Sequence, residues 1–215
     1  MKINNLLVKK SNIEILKIDS LDIDVSKSIA IFGENCAGKT TFIKCILGIE
    51  DYNGSISDLM SNNQIQVLLQ NNNYPPYAKV KDIIRLVLDK QELSCLSELF
   101  RIFNFEHNLN KKIGSLSGGE LQKLNLILIF SKPHKLLIVD EITTGLDYST
   151  RMKLLEYLKN HIDKMGIGLI IVSHYLEEIK YLCDEVIVLE KGKVSKQLNT
   201  EDFLKNFIKE GKNYV

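Results

Sequence analysis

The stretch IAIFGENCAGKTTFIKCIL, Ile29 to Leu47, constrains this chain more than any other. An apolar run of the kind that forms a strand covered on both faces stops at a glycine, and apolar residues at helical spacing resume after Gly38. Between them, Gly33-Glu34-Asn35-Cys36-Ala37-Gly38-Lys39-Thr40 fits G-x-x-x-x-G-K-[ST]. That spacing serves a backbone that wraps a polyphosphate with its N–H groups turned inward at a helix N-terminus. The glycines permit close approach, Lys39 reaches the β- and γ-phosphates, and the Thr40 hydroxyl suits Mg²⁺. Gly33, Asn35, Cys36, Ala37, Gly38, Lys39, Thr40 and Thr41 are therefore the candidate nucleotide-binding residues, in a strand–loop–helix unit that belongs to an α/β fold.

The rest of the chain fits such a fold. LLIVD (to Asp140) and LIIVS (to Ser173) are further short, continuous apolar runs, and helical patterns lie between them: Met152, Leu155, Leu158 and Ile162, then Ile179 and Leu182. Strands alternating with helices imply right-handed crossovers and a parallel sheet. Before Ile29, KINNLLVKKSNIEILKIDSLDIDV alternates apolar and polar residues, as half-buried antiparallel strands do. Residues 71–115 are mostly helical in pattern and read as a lobe inserted in the core. EVIVLEKGKVSKQL reads as a hairpin turning at Lys191-Gly192, followed by a short amphipathic helix with Thr200 as its N-cap and Gly211 at its end.

At the end of the second apolar run stand Asp140 and Glu141. Ligands of an open α/β sheet gather beyond the carboxyl ends of the strands, so this pair and the glycine-rich loop share one site. Asp140 is expected to hold Mg²⁺ through water, and Glu141 to polarise an attacking water. The 28 Lys and Arg nearly balance the 27 Asp and Glu, which gives no electrostatic reason to expect a nucleic-acid partner. The four cysteines lie far apart without metal spacing and read as reduced thiols. No apolar run approaches the ~20 residues of a membrane span, so a membrane is reached only through another protein.

These features, together with LSGGE (Leu116, Ser117, Gly118, Gly119, Glu120), resemble the nucleotide-binding domain of an ABC ATPase. The likeness runs from about Lys2 to Gln197 and includes Gln70 after IQVLLQ, TTGLD ending at Asp147, and VSH ending at His174. The resemblance implies a P-loop core with a mostly parallel sheet, an N-terminal antiparallel β-subdomain and an inserted helical subdomain. It makes 1–215 one ABC ATPase domain, with residues 1–70 and 116–215 as β-subdomain plus core and 71–115 as the helical part. It also implies a head-to-tail dimer of two copies, or of one copy and a homologous ATPase subunit, around two Mg-ATP. Leu116–Glu120 would then face the ATP held by the opposite subunit. Glu141, His174 and Gln70 would be catalytic, with Gln70 also near Mg²⁺. Asp147 would touch the partner's phosphate loop.

Departures from the family pattern carry their own expectations. Cys36 stands where the family commonly has glycine, and a thiol beside a helix N-terminus and Lys39 is expected to be reagent-sensitive and shielded by nucleotide. Residues 1–31 lack any aromatic ring to stack on adenine, which leaves Ile13 as the aliphatic substitute and implies loose discrimination between ATP and GTP. Ile142 and Glu120 replace a common proline and glutamine. The whole implies the ATP-hydrolysing subunit of an ABC transporter, cytoplasmic and held on the inner face of the cell membrane by a separate permease, which YPPYAKV (Tyr74 to Val80) would grip. Export is the expected direction. A soluble ABC ATPase of a non-transport assembly, such as an iron–sulfur scaffold complex, is the alternative.

Overall fold

A β-hairpin opens the fold: strands β1 (Lys2–Lys10) and β2 (Ile13–Asp22) pair antiparallel, and β4 (Asn53–Ser57) joins the other side of β1 after β3 (Ser28–Phe32) and helix α1 (Lys39–Ile46) have intervened. The computed structural model describes residues 1–61, 64–68, 74–89, 92–143 and 145–209. Strand β5 spans Ile65–Leu68. Helices α2 (Val80–Val87), α3 (Leu96–Phe103) and α4 (Gly118–Phe130) precede β6 (Leu136–Asp140). The remainder alternates: α5 (Tyr148–Met165), β7 (Gly168–Val172), α6 (Leu176–Leu182), β8 (Glu185–Glu190), β9 (Lys193–Asn199) and α7 (Thr200–Lys209).

The larger sheet has the order β5-β6-β7-β3-β8-β9, parallel except for the β8–β9 hairpin at its edge. Every residue of β3, β6 and β7 is buried. Their alternating side chains feed two cores. Ala30, Phe32, Leu137, Val139, Leu169 and Ile171 pack toward the helices α2 to α7, whereas Ile29, Ile31, Leu136, Ile138, Ile170 and Val172 pack toward α1 and the small sheet. Continuous apolar runs are the sequence form of this two-sided burial. The architecture is thus a P-loop core with an antiparallel N-terminal sheet, and helices α2 and α3 lie in the chain between β5 and α4.

Local details depart from expectation in three places. On α5 the buried stripe is Leu154, Leu155, Leu158 and Ile162, and Met152 sits at the surface, because the buried face is rotated toward Leu154 and leaves Met152 at its margin. The cap of α7 is Asn199, whose Oδ1 accepts from the Asp202 N–H at 2.8 Å; the Thr200 hydroxyl donates instead to the Cys183 carbonyl at 2.7 Å. Gly211 lies outside the described residues. The turn at Lys191 and Gly192 is as expected, and both have positive φ (48° and 79°), the twist that suits a two-residue hairpin loop.

The order β6-β7-β3 brings the carboxyl ends of three neighbouring strands together. From them leave the glycine-rich loop, the Asp140–Glu141 pair and the Ser173–His174 pair. No helix among the described residues is long and apolar enough to cross a membrane.

Candidate active site

The loop after β3 is braced from below. A Cβ at Gly33 would lie 2.2 Å from the Leu189 carbonyl oxygen on β8, so glycine alone fits there. The Ala37 N–H donates to the Glu34 carbonyl at 3.2 Å, and the Ala37 carbonyl accepts from the Gly192 N–H at 3.1 Å. Gly192 in turn accepts from the Lys17 N–H at 2.7 Å, which ties the loop to both β2 and the β8–β9 turn. Lys39 arches over its own loop and donates to the carbonyls of Gly33 and Glu34, each at 2.8 Å. Burial lowers its pKa from the ordinary lysine value, and the nearby Glu141 and Asp140 carboxylates oppose that shift. Cys36, at the exposed crest, has φ 62°, a left-handed conformation that glycine takes at no steric cost.

From the next strands come the acids. Asp140 is 2% exposed, and its Oδ2 accepts from the Thr40 hydroxyl at 2.8 Å. Burial pushes its carboxyl above the usual range, while the Thr40 hydrogen bond pulls the other way. Its other oxygen, Oδ1, is buried without a hydrogen-bond partner among the described residues. A hydroxyl joined to a buried carboxylate with one uncommitted oxygen fits a hard divalent cation such as Mg²⁺. Glu141 follows with φ 56°, its N–H donating to the Val172 carbonyl at 3.0 Å, so the chain turns sharply as it leaves the strand. His174 Nε2 lies 3.4 Å from Glu141 Oε1.

These groups surround one open cavity of about 420 Å³. Asn35, Cys36, Ala37, Gly38, Lys39, Thr40, Thr41, Asp140, Glu141 and His174 all line it, with Gly33 holding the loop beneath. Ile13 does not line the cavity. It is 65% exposed beside the β1–β2 turn, and Ile15 takes the expected place because its backbone packs against Gly38 and Gly192. Strand alternation marks both isoleucines as one face of β2, a signal that could have named Ile15 too. Gln70 lies outside the described residues.

Leu116–Glu120 and Asp147 sit apart from this cavity. Ser117 caps α4 reciprocally with Glu120: the Glu120 N–H donates to Ser117 Oγ at 3.2 Å, and the Ser117 N–H donates to Glu120 Oε2 at 2.8 Å. Lys111 completes the cluster at 2.8 Å, and these donors pull the Glu120 carboxyl down to about 2. Gly119 runs so close to the next loop that a Cβ there would lie 2.7 Å from the Gly145 carbonyl oxygen. Asp147 caps α5, accepting from the Thr150 N–H at 3.0 Å and hydroxyl at 2.6 Å. The side chain of Ile142 is fully buried, and its carbonyl accepts from Gln122 Nε2 of α4 at 3.0 Å.

Residues 16–144, more than half of the chain, match the family described as ABC transporter. The chain belongs to the ABC transporter family. It is an ATP-binding cassette of the ATPase kind, and Mg-ATP is the nucleotide form that kind uses. This cassette is 29% identical, over 238 aligned residues, to an uncharacterized ABC transporter ATP-binding protein of Methanocaldococcus jannaschii, covering 99% of this chain and 43% of the relative. It is 30% identical to the methionine import ATP-binding protein of Clostridioides difficile, covering 96% and 71%. With the molybdenum import ATP-binding protein of Escherichia coli the identity is 31%, covering 77% and 51%. The cassette therefore spans about half the length of two of these three relatives.

Among solved structures, the ATP-binding subunit of an ABC transporter superposes with a TM-score of 0.85 at 24% identity, covering 99% of this chain and 95% of that one. A dimeric ATP-binding cassette in a post-hydrolysis state, bound to ADP and phosphate, superposes with a TM-score of 0.78 at 20% identity, covering 93% and 98%. Both likenesses are of fold.

Proposed function

We propose that this cassette hydrolyses ATP as the motor subunit of an ABC transporter, paired with a second copy or a homologous subunit on a separate membrane permease. The observation that carries the reading is the convergence of Lys39, the Thr40–Asp140 pair, Glu141 and His174 on one cavity. Backbone N–H groups of the loop and Lys39 bind the phosphates and orient the terminal one. Thr40 and Asp140 are the residues that would hold Mg²⁺, and the ion when bound would offset charge on the β- and γ-phosphates. Glu141 orients the attacking water and accepts its proton. His174, beside Glu141, fixes that carboxylate and faces the terminal phosphate. Leu116–Glu120 close on the ATP held by the partner, and Asp147 meets the partner's phosphate loop.

The permease supplies the membrane anchor, which places the cassette on the cytoplasmic face. Exposed Tyr77, with Leu86 on the outer side of α2, offers the apolar surface a permease would grip. The named relatives import methionine and molybdenum, and we take import, rather than the export expected above, as the direction they favour. A soluble assembly role remains the second reading; co-purification with a multi-span protein separates the two.

Turnover and self-association test the proposal together. Wild type is expected to hydrolyse ATP. Glu141→Gln is expected to reduce turnover by on the order of 10²-fold or more, the scale of a lost general base, and to elute as a dimer when ATP is present. Wild type without turnover, or a Glu141→Gln variant that stays monomeric at saturating ATP, refutes it.

A further inference from the structure

Glu178 is an acid in a sequence pair, Glu177-Glu178, that reads as solvent-facing, yet it is 1% exposed. Burial raises its carboxyl pKa, and three neighbours oppose that shift. The Ser173 hydroxyl donates to its Oε2 at 2.5 Å, and the Thr143 hydroxyl donates to its Oε1. Arg151 Nε of α5 stands 3.3 Å from the same Oε1. Ser173 and Thr143 are themselves buried. One carboxylate thus joins four segments: α6, α5, the residue before His174 and the loop just past Glu141.

The remaining contacts flank His174 in the chain. Ser173 Oγ, held by Glu178, accepts from the Tyr175 N–H at 3.0 Å. The Arg151 guanidinium lies 4.0 Å over the Tyr175 ring. Both neighbours of His174 in the chain are therefore fixed by the Glu178–Arg151 pair, while Thr143 fixes the other strand end, which carries Glu141. We infer that Glu178 is the positioning residue that sets His174 against Glu141, through Ser173 and Tyr175 on one side and Thr143 on the other. The inference rests on the proposed roles of His174 and Glu141. A carboxylate suits this post because it accepts from two hydroxyls while its charge pairs with the guanidinium 3.3 Å away. An amide of the same shape presents one acceptor and one donor, so one of the two hydroxyls loses its partner.

The test is a double-mutant cycle in the full chain with Glu178→Gln, His174→Ala and the pair combined. Misplacing a reacting group by about an ångström costs up to on the order of 10²-fold. Glu178→Gln is expected to lower kcat on that order while KM and binding of a fluorescent ATP analogue stay within about twofold. The combined variant is expected to be no slower than His174→Ala, because the two substitutions remove the same contribution. The NMR signals of the His174 ring are expected to move in Glu178→Gln, a readout independent of turnover. Ser173→Ala, which keeps the charge pair, should show the same behaviour at reduced size and serves as the first arm of the cycle if Glu178→Gln does not fold. Multiplying effects with an unmoved His174 signal overturn the inference and leave only a structural ion pair. A moved signal in a chain without ATP turnover keeps the inference and sinks the proposed function instead.

Discussion

Adjacent glycines at the start of α4 are expected to respond in opposite ways to a single methyl group. In Gly118→Ala the new Cβ meets nothing within 4 Å. In Gly119→Ala it would stand 2.7 Å from the Gly145 carbonyl oxygen, a backbone atom that cannot rotate away. Ordinary carbon–oxygen contacts lie near 3.3–3.6 Å, so the Gly145 carbonyl must retreat by roughly 0.6–0.9 Å. Replacing glycine in a helix gains up to about 1 kcal/mol, a term shared by both variants. Overpacking against fixed atoms costs about 1–3 kcal/mol and falls on Gly119→Ala alone. The gap between the two variants is therefore about 1–3 kcal/mol, with Gly118→Ala at or above wild type. For a domain of this size each kcal/mol moves Tm by about 2–4 °C, so the melting points should differ by roughly 2–12 °C. Urea unfolding without nucleotide, with equal m-values, measures the same gap. Coincident melting curves, or Gly118→Ala the less stable of the pair, would refute the reasoning.

Three further outcomes are expected. Cys36→Gly removes a left-handed strain of about 1–2 kcal/mol against about 0.5–1 kcal/mol of added chain entropy, so it should melt slightly higher; the wild-type thiol, exposed at the cavity rim, should react with a thiol reagent more slowly when ATP is present, and equal rates would end that idea. No Phe, Tyr or Trp lines the cavity among the described residues, which forgoes a stacking contribution of about 1–3 kcal/mol; ATP and GTP should bind within about tenfold of each other, and a strong ATP preference in competition assays would count against Ile15 as the base-facing group. Burial holds the His134 and His161 rings below the usual histidine pKa, so on acidification the unfolded chain takes up protons first. Their stability contribution is full above about pH 6.5 and is lost as pH falls toward the folded-state values; His134→Asn should flatten the decline in urea midpoint between neutral and acid pH, and an unchanged slope would refute it.

What could be read from the sequence was whatever lies in covalent neighbourhood. The glycine-rich loop, the Asp140–Glu141 pair and the buried strands are each written in a few consecutive residues, because the local backbone and the two faces of one strand dictate them. Ile13 and Ile15 lie on the same face of β2, and the choice between them is made by Gly38 and Gly192, which reach β2 from distant parts of the chain. Asn199 and Thr200 are both good caps; Cys183 decides the matter by taking the Thr200 hydroxyl. Glu178 could not be recognised at all, because its burial depends on Thr143, Arg151 and Ser173, three segments brought together only by the fold.

Gly192 binds the phosphate loop to β2 through one N–H and one carbonyl. A ribosome therefore issues the nucleotide motif long before it issues the turn that braces it. Contacts this remote in sequence form late, after most of the chain's freedom has been surrendered. Until Gly192 has been made, the Ala37 carbonyl of the loop and the Lys17 N–H of β2 each lack the partner they have in the finished fold.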